Sequence, residues 1–205
     1  MNTRPANPQT TTSDDVLVSR LRAGEEEAFV LLAARHQAAM LRLASTFVGS
    51  TAIAEEVVQD TWLAVLRGID GFAGRSSFKT WLLAILVNRA KSTGAREQRS
   101  VAIGDAVTAV DRSRFDAAGA WMSPPQHWIE ESDDRLLAER LEGTLGLALK
   151  RLPPRQRAVV LLSDVDGLAS DEVCDVLEIS EGNQRVLLHR GRSQLRQALE
   201  DSVRV

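Results

Sequence analysis

One cysteine, Cys174, is all the thiol this 205-residue chain contains. That excludes a disulfide framework and a thiolate zinc cluster. Cys174 falls inside a predicted short helix and reads as a small core residue. The three histidines, His36, His127 and His189, are scattered without metal-ligand spacing. There is no glycine-rich phosphate loop and no evident nucleophile–base pair, which argues against an enzyme acting on nucleic acid and against a bound cofactor or metal. The longest apolar run, WLLAILV at residues 81–87, falls far short of the roughly 20 residues that span a bilayer. The opening MNTRPANPQTTTS is polar and lacks an apolar signal core, so residues 1–13 are expected to be a disordered lead-in. A soluble, cytoplasmic protein is expected. Sustained strand-type alternation and internal repeats are both missing, and the expected fold is all-α.

The net charge of −3 argues against a simple nucleic-acid coat, yet the charge is segregated. Residues 75–99 carry six bases (Arg75, Lys79, Arg89, Lys91, Arg96, Arg99) against one acid, Glu97, whereas residues 105–134 carry seven acids against two arginines. Blocks of opposite sign point to more than one kind of partner. Apolar periodicity predicts helices over 15–22, 25–48, 52–67 and 77–93, broken by Gly24, Gly49-Ser50 and the FAGRSS loop. These make a first domain over residues 14–99. Residues 100–134 lose the periodicity and contain Gly104, Gly119 and Pro124-Pro125. Such an acidic stretch is too long for a passive loop and predicts a flexible linker between two small domains. The second domain, residues 135–205, opens with Leu137, Leu141, Leu145 and Leu149.

The last quarter carries the most specific pattern. Pro153-Pro154 start a helix running to about Ser163, Asp166-Gly167 break it, and Ser170 caps a short helix over 171–177. A tight turn, Glu178–Ser180, leads into a longer helix capped by Ser180. Two helices so joined place the second in a DNA major groove. On that helix Leu188, Gly191, Leu195 and Leu199 share a core-facing side, while Arg185, His189, Arg192 and Arg196 form a basic stripe. No acid falls between Asn183 and Gln197. A basic stripe on a helix is often only a solvated face, but its place on the second helix of a bihelical unit favours DNA.

In the first domain, AIAEEVVQDTWLAVLRG buries Ala54, Val57, Val58, Thr61, Trp62 and Val65 by spacing and turns Glu55, Glu56, Gln59 and Asp60 outward. The outward side is either an ordinary wet face or an acidic docking patch for a basic protein surface. The helix after it uses Phe78, Leu82, Ile85 and Leu86 as core and runs Trp81, Asn88 and Lys91 down a common side. Ring, amide and ammonium groups on one face suit a single-stranded nucleic acid, by stacking, base-edge contact and phosphate contact. Burial is the plainer account of Trp81. Asn88 within an apolar helix needs polar partners.

Together AEEVVQDTWLAVLRGIDGF, GRSSFKTWLLAILVNRAKS and LPPRQRAVVLL…DGLASDEVCDVLEISEGNQRVLLHRGRSQLR resemble the extracytoplasmic-function sigma factors of bacterial RNA polymerase, within the sigma-70 superfamily. The resemblance spans residues 14–99 and 135–200. It implies an alternative sigma factor that binds core polymerase, recognises two promoter elements, melts DNA and has no catalytic step of its own. Glu56, Gln59 and Asp60 would meet the clamp helices of the largest subunit, and the second domain the flap of the second-largest subunit. Arg75, Ser76, Ser77, Phe78, Lys79, Trp81, Asn88, Arg89, Lys91 and Arg96 would serve the minus-ten element, with the Gly74–Phe78 loop holding an everted base. Ser180, Glu181, Asn183, Arg185, Val186, His189, Arg190 and Arg192 would read the minus-thirty-five duplex. The acidic linker is similar to the segment threaded toward the RNA exit channel, and an anti-sigma factor is the implied inhibitor.

The chain departs from the family at Asn183 and Gln184, where a small β-branched residue and an aliphatic are common. Gln184 heads the apolar stripe, so it either hydrogen-bonds at the turn or rotates the helix start. Val186 and Leu187 stand where polar residues are frequent, and apolar contact with a thymine methyl is one use for them. The alternative function is a stand-alone helix-turn-helix regulator, which leaves the Trp81–Asn88 side and the Glu56–Asp60 face without a role.

Overall fold

A computed structural model describes residues 12–101 and 134–203, with side chains from 12 to 97 and from 143 to 202. The first unit contains α1 (Asp14–Arg22), α2 (Glu26–Ala44), α3 (Thr51–Gly68) and α4 (Phe78–Val101), with a 3-10 turn, Ile69–Gly71, before the loop into α4. The second contains α5 (Asp134–Arg151), α6 (Pro154–Val160), α7 (Ser170–Leu177) and α8 (Glu181–Val203). Among the described residues there is no strand. The expected lead-in and linker, with Trp121 and Trp128, lie almost wholly outside the described residues.

The bundle follows from its apolar stripes. Leu17 and Val18 of α1, Leu32, Met40 and Leu43 of α2, Val57, Val58 and Val65 of α3, and Phe78, Leu82, Leu83, Leu86 and Val87 of α4 are all buried. Each such side chain stabilises the fold by about 1.5–3 kcal/mol through removal from water. The buried set on α3 is the one its spacing predicts, Thr61 included; Thr61 Oγ1 donates to the Val57 carbonyl at 2.7 Å.

Two helices end earlier than periodicity predicts. α2 stops at Ala44 because the Thr46 and Phe47 N–H groups turn back to the Leu43 and Ala44 carbonyls, at 3.1 and 2.9 Å. The tightened exit lays the Phe47 carbonyl against Gly94 of α4, where a Cβ would overlap it. α6 ends at Val160 and continues as one wider π-helical turn, Leu161–Val165, in which Asp166 N–H reaches the Leu161 carbonyl at 2.9 Å. Gly167, at φ +69°, then turns the chain toward α7.

α1 is anchored by a polar cluster the sequence did not suggest. His36 is buried on α2, with Nε2 2.9 Å from Asp14 Oδ2, and the same carboxylate pairs with Arg35. The hydrogen bond from His36, with help from Arg35, holds the Asp14 carboxyl below its ordinary range despite burial. A lowered carboxyl stabilises the fold above its unfolded value, about 3.9, and that contribution disappears as pH falls through the folded value. Asp14→Asn is therefore expected to lose about 1–3 kcal/mol at pH 7, with the gap to wild type closing in acid. Thermal unfolding followed by circular dichroism at pH 7 and below 4 checks this; parallel curves would contradict it.

α8 lies across α6 and α5. Gly191 permits this, since a Cβ there would stand 2.6 Å from Val160 Cγ2. Ala148, Leu152, Val160 and Leu195 form the small core, with Leu145, Leu149 and Leu188 packed around it.

Candidate nucleic-acid interface

The α7–α8 unit has the bihelical geometry expected of its sequence. α7 ends on Glu178 at φ 58°, ψ 51°, a left-handed residue that reverses the chain in a single step. Ser180 then caps α8, its Oγ accepting from the Asn183 N–H at 3.4 Å. Gln184 is buried and its Oε1 accepts from Ser170 Oγ at 3.2 Å, so it ties the start of α8 to the start of α7. Ser170, expected as a cap, spends its hydroxyl there instead. The α7 N-terminus is held by Glu172, whose Oε2 accepts from the Ala169 N–H at 3.0 Å.

Ser180, Glu181, Asn183, Arg185, Val186, His189, Arg190 and Arg192 are all exposed, and the first five gather at the free N-terminal end of α8. Arg185 pairs with Glu181 at 2.9 Å, a partner one turn away that a phosphate could replace. Arg192 is turned from that end and grips both oxygens of Asp164, at 3.1 and 2.5 Å. Leu187 packs into the protein, which answers its departure from the family pattern; Val186 stays exposed. Cys174 is half-buried on α7, with its thiol pushed up by burial and by the nearby acids Glu181, Asp175 and Asp171. A thiol so placed is a poor nucleophile.

On α3, Glu56, Gln59 and Asp60 are exposed on one stripe, and Leu63 extends it at 50 % exposure. Leu63 was not among the residues expected on this face; its spacing from Glu56 and Asp60 puts it on the same stripe. Asp60 Oδ2 lies 3.9 Å from Arg89 Nη1 of α4, so the acidic face and the basic helix adjoin. In water such a pair adds little stability.

The basic helix and its loop are less open than expected. Arg75, Asn88, Arg89 and Arg96 are exposed, whereas Ser76, Lys79, Trp81 and Lys91 are half-buried. Phe78 is a correction: at 1 % exposure its ring sits in the core, 6.0 Å from the rings of Phe72 and Trp81 and 5.8 Å from His36, and cannot face a base. Trp81 leans on Phe72 at 5.0 Å with one side outward. Ser77 is exposed, but its Oγ accepts from the Thr80 N–H at 3.1 Å and starts α4. Asn88 is not buried either; its amide reaches Glu178 of the second unit at 3.3 Å. Arg22 positions the loop: its guanidinium donates to the carbonyls of Ile69 and Phe72 at the end of the 3-10 turn. No sequence pattern marks Arg22, because its partners are backbone atoms 47 and 50 residues away.

Residues 32–100 match the Sigma-70 region 2 family, and residues 143–195 match Sigma-70, region 4. The chain is 30% identical over 192 residues to the ECF RNA polymerase sigma-E factors of Salmonella typhimurium and Escherichia coli K12, covering 94% of this chain and 97% of theirs. It belongs to the extracytoplasmic-function (ECF) sigma factors. The RNA polymerase sigma-H factor of Pseudomonas aeruginosa is 29% identical over 195 residues, 95% of this chain and 98% of its own. Among solved structures, CnrH in complex with the cytosolic domain of CnrY aligns at TM-score 0.57 and 25% identity, covering 93% and 99% of the two chains. The sigma factor RpoE, in complex with the anti-sigma factor NepR from Bartonella quintana, aligns at TM-score 0.59 and 21% identity over 84% and 96%, a likeness of fold. This sigma factor is a DNA-binding initiation factor that recognises promoters, and binding to core RNA polymerase follows from its family. Sigma factors are not themselves catalysts. Among the described residues no helix is long and apolar enough to cross a membrane, and no cluster of His, Cys, Asp or Glu could hold a metal ion.

Proposed function

We propose a division of labour among three surfaces of this sigma factor. The α3 stripe of Glu56, Gln59, Asp60 and Leu63 docks on the clamp helices of the largest polymerase subunit. The α4 side with Trp81, Asn88, Lys91 and the loop before it takes the unpaired minus-ten strand. The N-terminal end of α8, from Ser180 to Arg190, reads the minus-thirty-five duplex, and the second unit meets the flap of the second-largest subunit. The observation that carries the assignment is the exposed end of α8 behind a left-handed turn, free of acids from Gly182 to Arg190, on a chain with region 2 and region 4 matches. Domain limits of 14–99 and 135–205, with an acidic linker between, fit those surfaces. The protein has no enzymatic step and acts in the cytoplasm, where it would be held by an anti-sigma factor, as RpoE is seen with NepR.

Joining two modest DNA-binding modules on one polymerase raises their effective concentration, so each can be weak alone. Everting a base costs a few kcal/mol of stacking, which contacts on α4 must offset. Permanganate footprinting of a promoter with reconstituted polymerase separates the roles. Asn88→Ala is expected to keep the closed complex and lose melting roughly tenfold or more, the loss of one base-edge contact being about 1–3 kcal/mol. Arg185→Ala combined with His189→Ala is expected to weaken the closed complex itself. Full melting by Asn88→Ala would remove α4 from the assignment.

A further inference from the structure

Val186 is an apolar side chain that belongs to neither apolar cluster of the described residues. Its neighbours Leu187 and Leu188 pack into the protein, whereas Val186 stays 45 % exposed. A lone exposed valine is ordinary on a protein surface; this one is set apart by its place. Gln184, buried at 3 %, points this end of α8 into the protein. Two residues farther on, the helix has turned by about 200°. Val186 therefore points straight away from the protein body, at the centre of the exposed face. Arg185 and His189 flank it on one side, and Asn183 and Arg190 on the other, all four exposed. Gly182, one turn nearer the free end, brings no side chain, and a Cβ there would meet nothing within 4 Å. The middle of a polar helix end is thus a small apolar knob beside bare backbone.

In the major groove thymine alone offers a methyl group, and the other base edges offer donors and acceptors. Valine has no hydrogen bond to give either kind. Set against one, it strips away water without replacing the bond that is lost. The side chain is also stiff, since branching at Cβ leaves one strongly preferred χ1 in a helix, and little freedom is lost when it packs on a base. We propose that Val186 is a specificity residue of this sigma factor, seated on the methyl group of one thymine in the minus-thirty-five element. The proposal rests on the assignment of the α8 end to that duplex. Gly182 lets the base edges come close to the helix here, while Arg185 and Arg190 on either side supply the charge. Taking one methyl group out of water is worth about fourfold in affinity. A cytosine in the same place sets its amino group against the valine and binds more weakly still.

The test uses the full-length protein with core RNA polymerase. A promoter is first selected from a duplex pool randomised across a promoter length. It is then remade with single thymine→deoxyuridine changes, each of which removes a methyl group and leaves the pairing intact. Gel-shift titration at a temperature that holds the closed complex gives the affinities. Wild type is expected to lose about fourfold at one position of the upstream element and less than twofold at the others. Val186→Ala is expected to bind the thymine promoter about fourfold less well and to lose nothing further with deoxyuridine at that position. The change is at an exposed helix position where alanine is the better helix former, so the fold is kept. Val165→Ala, at an equally exposed valine outside α8, is expected to match wild type. Absence of any methyl-sensitive position, or the same deoxyuridine loss in Val186→Ala as in wild type, would overturn the role of Val186. A selected upstream element that binds equally well when Arg185→Ala and His189→Ala are combined would instead overturn the assignment of α8, and the role of Val186 with it.

Discussion

Phe78→Ala is expected to lower stability by about 3–5 kcal/mol, the usual cost of deleting a fully buried aromatic ring. Phe78 is 1 % exposed at the first residue of α4, with the rings of Phe72, Trp81 and His36 around it. Removing it opens a cavity beneath the loop and leaves Trp81 without one of its two aromatic supports. Promoter melting is therefore expected to fail at temperatures where the rest of the bundle is still folded. Urea unfolding followed by tryptophan fluorescence measures the stability loss. A loss under 1 kcal/mol would show that the ring is not a core element, and would return it to the candidates for a base pocket.

The second large effect is at Gly94. In an ordinary helix interior, glycine to alanine gains about 1 kcal/mol. Here the added Cβ would overlap the Phe47 carbonyl oxygen and lie 3.2 Å from its carbon, and backbone cannot rotate away as a side chain can. Overpacking of this kind costs about 1–3 kcal/mol and offsets the propensity gain. Gly94→Ala is thus expected to destabilise by up to about 2 kcal/mol and to loosen the last turns of α4, which carry Arg96. Gly146→Ala on α5, where a Cβ meets nothing within 4 Å, is expected to be neutral or stabilising by up to about 1 kcal/mol. Equal behaviour of the two variants in denaturant titrations would remove the close approach of α2 and α4 from the account.

What the sequence made legible was periodic and local. The buried stripe of α3, the tight turn between α7 and α8, the Ser180 cap and the exposed end of α8 all follow from spacing and turn chemistry within a few residues. The Arg22 anchor on the loop carbonyls, the Asp14–His36 pair and the close pass at Gly94 were hidden, because each joins residues that only the folded chain brings together. Asn88 shows the same limit from the other side. Its place in an apolar helix calls for polar partners without saying where they lie, and the partner is Glu178 of the other domain. Gln184 was half legible: its place at the head of the apolar stripe allows either a hydrogen bond at the turn or a rotated helix start, and the hydrogen bond, with Ser170, is what forms. Residues 75–99 form a basic block by charge, yet carboxylates and carbonyls around α7 engage several of its donors. Charge counting along the chain locates such a block without saying what stands against it.

The proposed function depends most on the α3 face engaging core polymerase. Gel filtration of purified wild-type protein and Asp60→Ala with bacterial core RNA polymerase tests it directly. Asp60 is exposed and paired only loosely with Arg89, so its removal leaves the fold intact and reports the interface alone. Co-elution of the wild type, weakened in the variant, is the expected result. A folded wild type free of bound inhibitor that elutes apart from polymerase would contradict the account and favour a protein that binds duplex DNA on its own.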